Sequence, residues 1–79
     1  MKKPMTEKEY RQLCEDMKSD MESDFPDATP DYYYDAAREA LFQDVHDDKR
    51  LATYLRRQCG GQANEQILIE CLADDIYSA

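Results

Sequence analysis

Tyr10, Leu13, Cys14, Met17 and Met21 follow one another at intervals of 3, 1, 3 and 4 residues. That rhythm places all five on one face of an α-helix, and no stretch of the chain alternates apolar and polar residues long enough to make a strand. Ile67-Leu68-Ile69 comes nearest, and it sits inside a helical pattern. The pattern therefore confines the fold to short amphipathic helices. Only 12 of the 79 residues are Leu, Ile, Val or Phe, so these helices share one small core. A chain of this length buries only about 60–65% of its unfolded surface. The expectation is an all-α single domain over residues 1–79, a bundle of three to four short helices of marginal stability, which a dimer or a partner would complete.

Local signals place the helices. Thr6-Glu7-Lys8-Glu9 reads as a capping box, with Met5 and Tyr10 at the staple positions around it. The first helix should run from about Glu7 to Glu22, ended by Phe25-Pro26, because proline disfavours helical geometry in the residue before it. Thr29 is the cap of a second helix with Pro30 at its first position and Asp31 in its first turn. Tyr33, Ala37, Ala40, Leu41 and Val45 form its face, with Phe42 beside them. Asp47 can cap a third helix that carries Leu51, Ala52, Tyr54, Leu55 and Cys59, and Gly60-Gly61 stops it. A fourth helix from about Ala63 to Tyr77 has Ile67, Leu68, Cys71, Leu72 and Ile76 as its face.

The formal net charge is −8, and it is unevenly distributed. From Cys14 to Asp48 there are twelve acidic residues against Lys18 and Arg38, whereas from Lys49 onward there are four of each sign. Such a field repels nucleic acid and membrane surfaces and attracts a basic partner. Direct nucleic-acid binding is disfavoured, since each phosphate contact needs positive charge. Lys49, Arg50, Arg56 and Arg57 form the one basic cluster, which is expected to pair with acids of the first two helices. No apolar run approaches 18 residues, and the lysines of MKKPMTEKEY are followed by no apolar core. The expectation is a protein without a membrane span or secretory signal, located in the cytoplasm, with Cys14, Cys59 and Cys71 as free thiols on the apolar faces of their helices.

Motifs for catalysis or cofactors are absent. His46 beside Asp47 and Asp48 has the make-up of a base with its orienter, and Cys59 or Cys71 could supply a thiolate, yet neither cysteine sits in a nucleophile motif. His46 is better explained as a residue at a helix C-terminus. Cys14, Cys59, Cys71 and His46 have no zinc-ligand spacing, and Asp24, Asp27 and Asp31 are broken by proline without the glycine of a calcium loop. No glycine-rich phosphate loop is present. The expectation is a chain with no metal and no cofactor.

The segment SDFPDATPDYYYD, residues 23–35, carries the chemistry of a binding surface. Side chains of Tyr32, Tyr33 and Tyr34 on a helix point about 100° apart, so not all three can enter the core. Carboxylates give steering toward a basic surface but little affinity, and aromatics supply desolvated contact area. In size, in acidic charge and in its lack of catalytic motifs, the chain resembles the small acidic anti-defence proteins of phages and mobile elements, of the anti-CRISPR and anti-restriction type. That resemblance implies a non-catalytic inhibitor that binds a protein partner, in some cases by mimicking nucleic acid with surface carboxylates. The partner would be a nucleic-acid-binding complex with a basic surface. Glu15, Asp16, Asp20, Glu22, Asp24, Asp27, Asp31 and Asp35 are the candidate phosphate substitutes, with Phe25, Tyr32 and Tyr34 as anchors. The neutral C-terminal third confines such a surface to one side. Two other readings stand beside it: a helical adaptor that binds a partner or itself through Ile69, Leu72, Ile76 or Tyr77, and an enzyme built on His46 with a cysteine.

Overall fold

The computed structural model describes residues 4–27, 29–44, 49–61 and 64–79. Among the described residues four α-helices make up the fold: α1 (Glu7–Asp24), α2 (Pro30–Gln43), α3 (Arg50–Gln58) and α4 (Glu65–Ser78). Among the described residues there is no strand, and the class is all-α. The last helix is the centre of the bundle. α1, α2 and α3 each pack against α4. The reason lies in its composition: Leu68, Leu72 and Ile76 form one buried row and Ile69 and Ala73 the adjacent one, so α4 can meet neighbours on more than one side. The other helices have narrower faces: Tyr10 and Cys14 on α1, Tyr33, Ala37 and Leu41 on α2, and Leu51 and Leu55 on α3.

The α4 face differs from the one the spacing predicts. Ile69 is buried and Ile67 is 41% exposed. Ile69, Leu72 and Ile76 thus belong to the core and are not free to bind a partner. Of the residues assigned to an apolar adaptor face, Tyr77 alone is exposed.

The helix ends show which local signals operate. Thr6 accepts from the backbone N–H of Glu9 at 3.2 Å. The return bond of a capping box is replaced: the Thr6 hydroxyl donates to the Glu9 carboxylate at 3.4 Å, and Arg50 of α3 donates to its other oxygen at 2.7 Å. The Arg50 guanidinium holds the Glu9 carboxyl below its ordinary value. Thr29 and Pro30 start α2 as expected, but the Thr29 hydroxyl makes no capping bond. At the other end of α2, Val45, His46, Asp47 and Asp48 lie outside the described residues. The cap of α3 comes from Asp44. Its carboxylate accepts from the N–H groups of Leu51 and Ala52 at 3.0 and 2.9 Å, while Lys49 holds a left-handed φ of 58°. Asp44 is only 7% exposed, so a single buried acid joins the end of α2 to the start of α3.

α3 closes in a Schellman turn. The Gly61 N–H bonds to the Arg56 carbonyl at 2.6 Å, and Gly60 and Gly61 take φ of 85° and 82°. Only glycine adopts that backbone without strain. Asn64 then caps α4, accepting from the Ile67 N–H at 3.0 Å; the start predicted at about Ala63 falls on a residue outside the described ones.

Candidate protein-binding surface

The corner between α1 and α2 is built from the segment that the sequence singles out. α1 ends where the Phe25 N–H bonds to the Met21 carbonyl at 2.7 Å, and Pro26 follows. This stop turns the Phe25 ring onto the Tyr32 ring in the first turn of α2. The two rings stack with centroids 5.5 Å apart and an angle of 12°. Phe25 is 50% and Tyr32 49% exposed, so the stack offers an open aromatic face. Asp24, Asp27 and Asp31 flank it in the chain and are all exposed. Within 4 Å, none of these three forms an ion pair with a Lys or Arg among the described residues.

The three tyrosines take separate roles. Tyr33 is buried and meets Tyr77 edge-on at 5.2 Å. Tyr34 is half-buried against the core, which removes it from the set of free-standing anchors. Tyr32 alone faces out. Helical spacing continues the acid away from the corner: Asp16, Asp20 and Asp24 share one stripe of α1, and Asp31, Asp35 and Glu39 share one stripe of α2.

Other predicted acids separate from this corner. Glu15 lines a cavity of about 320 Å³ near the start of α1, with Tyr10, Cys14, Tyr54 and Asp75. Asp16 accepts from Gln12 at 2.9 Å. Glu22 lies 3.8 Å from Lys18, which offsets part of its charge. The surface thus contracts to Asp16, Asp20, Asp24, Phe25, Asp27, Asp31, Tyr32 and Asp35, with Asp16 exposed at the far end of the α1 stripe. Two residues extend it that the sequence did not mark as functional. Glu39 faces Asp20 across a groove between α1 and α2, and Phe42, 77% exposed, lies beyond Asp35 on α2. The one signal for Phe42 is its position off the apolar face of its helix.

Lys18 explains how an acidic run can contain a base and stay acidic outside. Its ammonium donates to the Tyr77 carbonyl at the end of α4 and lies 5.3 Å from the Tyr77 ring and 6.0 Å from the Tyr33 ring. It thereby satisfies a helix-terminal carbonyl from a neighbouring helix. The basic cluster divides as well. Arg50 binds Glu9, whereas Lys49, Arg56 and Arg57 are exposed and form no ion pair within 4 Å among the described residues.

α1 ends against its own electrostatics. Glu22 and Asp24 occupy its last turn, Asp20 the turn before, and no basic residue stands in the last turn. Carboxylates at the negative end of a helix dipole each cost about 0.3–1 kcal/mol. Folding alone would favour lysine or arginine there. The end of α1 thus breaks a local rule of helix stability on an exposed surface.

The remaining chemistry is that of a packed interior. Tyr10 donates its hydroxyl to Asp75 and stacks on Tyr54 with centroids 4.5 Å apart. Burial, then the Asp75 hydrogen bond, raises the Tyr10 hydroxyl far above its ordinary value, and burial raises the Cys14 thiol. An activated thiol nucleophile has the opposite shift. No group of three or more His, Cys, Asp or Glu side chains among the described residues converges as metal ligands, and no described helix is long and apolar enough to cross a membrane.

The chain matches no protein-family model, no curated protein and no solved structure. Fold and site together define a small all-α bundle with an acidic, aromatic-tipped corner, and the functional reading rests on that geometry.

Proposed function

We propose that this chain is a non-catalytic binding protein whose acidic α1–α2 corner docks into the basic, nucleic-acid-binding site of a protein complex and so excludes nucleic acid from it. One observation carries the reading: the Phe25–Tyr32 stack stands half-exposed among Asp24, Asp27 and Asp31, none of which forms an ion pair with a Lys or Arg among the described residues. A site built for nucleic acid offers arginine and lysine for phosphates and often apolar or aromatic platforms for bases. Carboxylates beside an open stacked pair present both halves of that chemistry in reverse. The unfavourable acids at the end of α1 and the diversion of Lys18 into the bundle support it. A complex of the defence or regulatory kind is the partner class that the likeness to anti-defence proteins suggests. The test is a pull-down from bacterial lysate at low and high salt, with Phe25→Ala/Tyr32→Ala and Asp20→Lys/Asp24→Lys/Asp27→Lys baits in parallel. Capture of a nucleic-acid-binding complex that fails with both baits and with added duplex DNA agrees with the proposal. Capture that survives all three perturbations defeats it.

A second reading, the helical adaptor, is favoured by a different feature. Leu13, Met17, Met21, Ala36 and Ala40 line a groove of about 350 Å³ between α1 and α2, with Asp20 and Glu39 at its edge. Methionine is an adaptable contact surface, and the acidic edge suits the apolar row of a basic partner helix. Binding there depends on Met17 and Met21 and persists when Phe25 and Tyr32 are removed.

A further inference from the structure

Cys59 and Cys71 are twelve residues apart in the chain and make no recognised motif, yet their Sγ atoms lie 3.4 Å apart. The Schellman turn produces the meeting: Gly60 and Gly61 reverse the chain directly after Cys59, so that α4 returns beside the end of α3. Both residues are partly exposed, and within this structure both are free thiols. A disulfide requires sulfurs about 2.05 Å apart, so the pair must close by about 1.4 Å. Cys59 can supply that movement. It is the C-cap of α3, held at the end of a nine-residue helix and followed by two glycines. Cys71 stands on the opposite side of the gap, anchored in the central helix beside fully buried Leu72.

We propose that Cys59 and Cys71 form a redox-reactive dithiol site that takes small-molecule disulfides, of the oxidised glutathione class, and closes an α3–α4 disulfide. This inference is independent of the binding surface at the α1–α2 corner. In the first step the Cys59 thiolate attacks one sulfur of the small disulfide. A mixed disulfide forms, and one small thiolate leaves. In the second step the Cys71 sulfur attacks Cys59 Sγ, the protein disulfide forms, and the second small thiolate leaves. The protons of the two cysteines end on the two departing thiols. One small disulfide is reduced to two thiols, and the two cysteines are oxidised to one cystine. The order follows from position: Cys59 stands at the movable end of α3 and can meet the incoming sulfur, whereas Cys71 is anchored within α4, where the hydrogen bond with Cys59, then burial, raises its thiol to about 11. Cys14 provides an internal reference, since it is buried in the core at 3% exposure and has no thiol partner.

The test uses the full chain, oxidised glutathione as the probe, intact-mass spectrometry and counting of alkylated thiols after denaturation. Wild type should lose two hydrogens and show one alkylatable cysteine in place of three, with Cys14 identified as that one by peptide mapping. It should remain monomeric by non-reducing electrophoresis. Cys71→Ser should stop at a stable glutathione adduct on Cys59, because no second sulfur stands near to displace it. Three alkylatable thiols after exposure, a disulfide that includes Cys14, or covalent dimers in place of the internal bond would each overturn the assignment. The wild-type result decides the matter even where a serine variant folds poorly.

Discussion

Removing the carboxylate of Asp44 tests the connection that holds α2 to α3. Asp44→Ala deletes two hydrogen bonds, to the N–H groups of Leu51 and Ala52, and leaves the first turn of α3 without an acceptor. Loss of a helix cap costs about 0.5–2 kcal/mol. Loss of a negative charge at the positive end of the dipole adds about 0.3–1 kcal/mol. The N–H of Leu51 is then left in a buried setting, since Leu51 is 4% exposed, and an unsatisfied buried donor costs about 1–3 kcal/mol. These contributions overlap, and a total of ~3 kcal/mol is expected. A domain of this size has a stability of roughly 4–12 kcal/mol, so the variant should lose a large share of it. In thermal terms the loss is about 12–24 °C in Tm, from 4–8 °C per kcal/mol for a domain of this length. Urea unfolding followed by helical circular dichroism is the assay, with Asp44→Asn alongside. Asparagine retains one acceptor oxygen and should lose about half as much. A loss below about 0.5 kcal/mol for the alanine variant would show that α3 has another cap and that the Asp44 bonds are incidental.

Other outcomes follow from the same reasoning. Asp24→Lys should stabilise the free protein by about 0.5–1 kcal/mol, because it replaces an acid at the negative end of α1 by a base, and should weaken partner capture at the same time; a destabilised variant would contradict the idea that stability is sacrificed there. Stability should fall as pH rises above the ordinary thiol and phenol values of 9.0 and 10.0, because Cys14, Cys71 and Tyr10 keep their protons in the fold at pH values where the unfolded chain has lost them. Each such group contributes a slope of about 1.4 kcal/mol per pH unit, with stability complete below the unfolded value and lost upward through the folded one. Tyr10→Phe should flatten the part of that fall above about pH 10, and an unchanged slope in urea midpoints against pH would remove Tyr10 from the account.

What the sequence revealed, and what it concealed, follows from the range of each interaction. The stop of α1 at Phe25-Pro26 and the start of α2 at Thr29-Pro30 are local events, and both stand where the residues put them. The face of α4 is ambiguous because Ile67, Leu68 and Ile69 are consecutive. Leu68, Leu72 and Ile76 form a row common to either choice, and the outer row is set by which neighbours arrive. Ala73 continues the row of Ile69 into the core, while Cys71 continues that of Ile67 to a half-exposed position beside Cys59. Asp44 is not legible as a cap because its acceptors act seven and eight residues onward, across a connection that no capping rule of adjacent positions describes. The tyrosine run shows the same division. Helical geometry establishes that Tyr32, Tyr33 and Tyr34 cannot all be buried, but the choice of Tyr33 depends on Tyr77 and Lys18 from elsewhere in the bundle. The acidic surface was legible as charge, whereas its contraction to the α1–α2 corner required knowing that Glu22 is paired and that Glu15 lines a different cavity.

The most direct test of the central claim is site-specific photo-crosslinking in bacterial lysate, with a photoreactive phenylalanine analogue placed at Tyr32 and, in a second protein, at exposed Thr53 on α3. Adducts are expected from position 32 with a basic, nucleic-acid-binding protein, diminished by high salt and by added DNA, and none of these from position 53. Adducts that arise from position 53 and not from position 32 would place the binding surface elsewhere on the bundle and contradict the role given to the Phe25–Tyr32 corner.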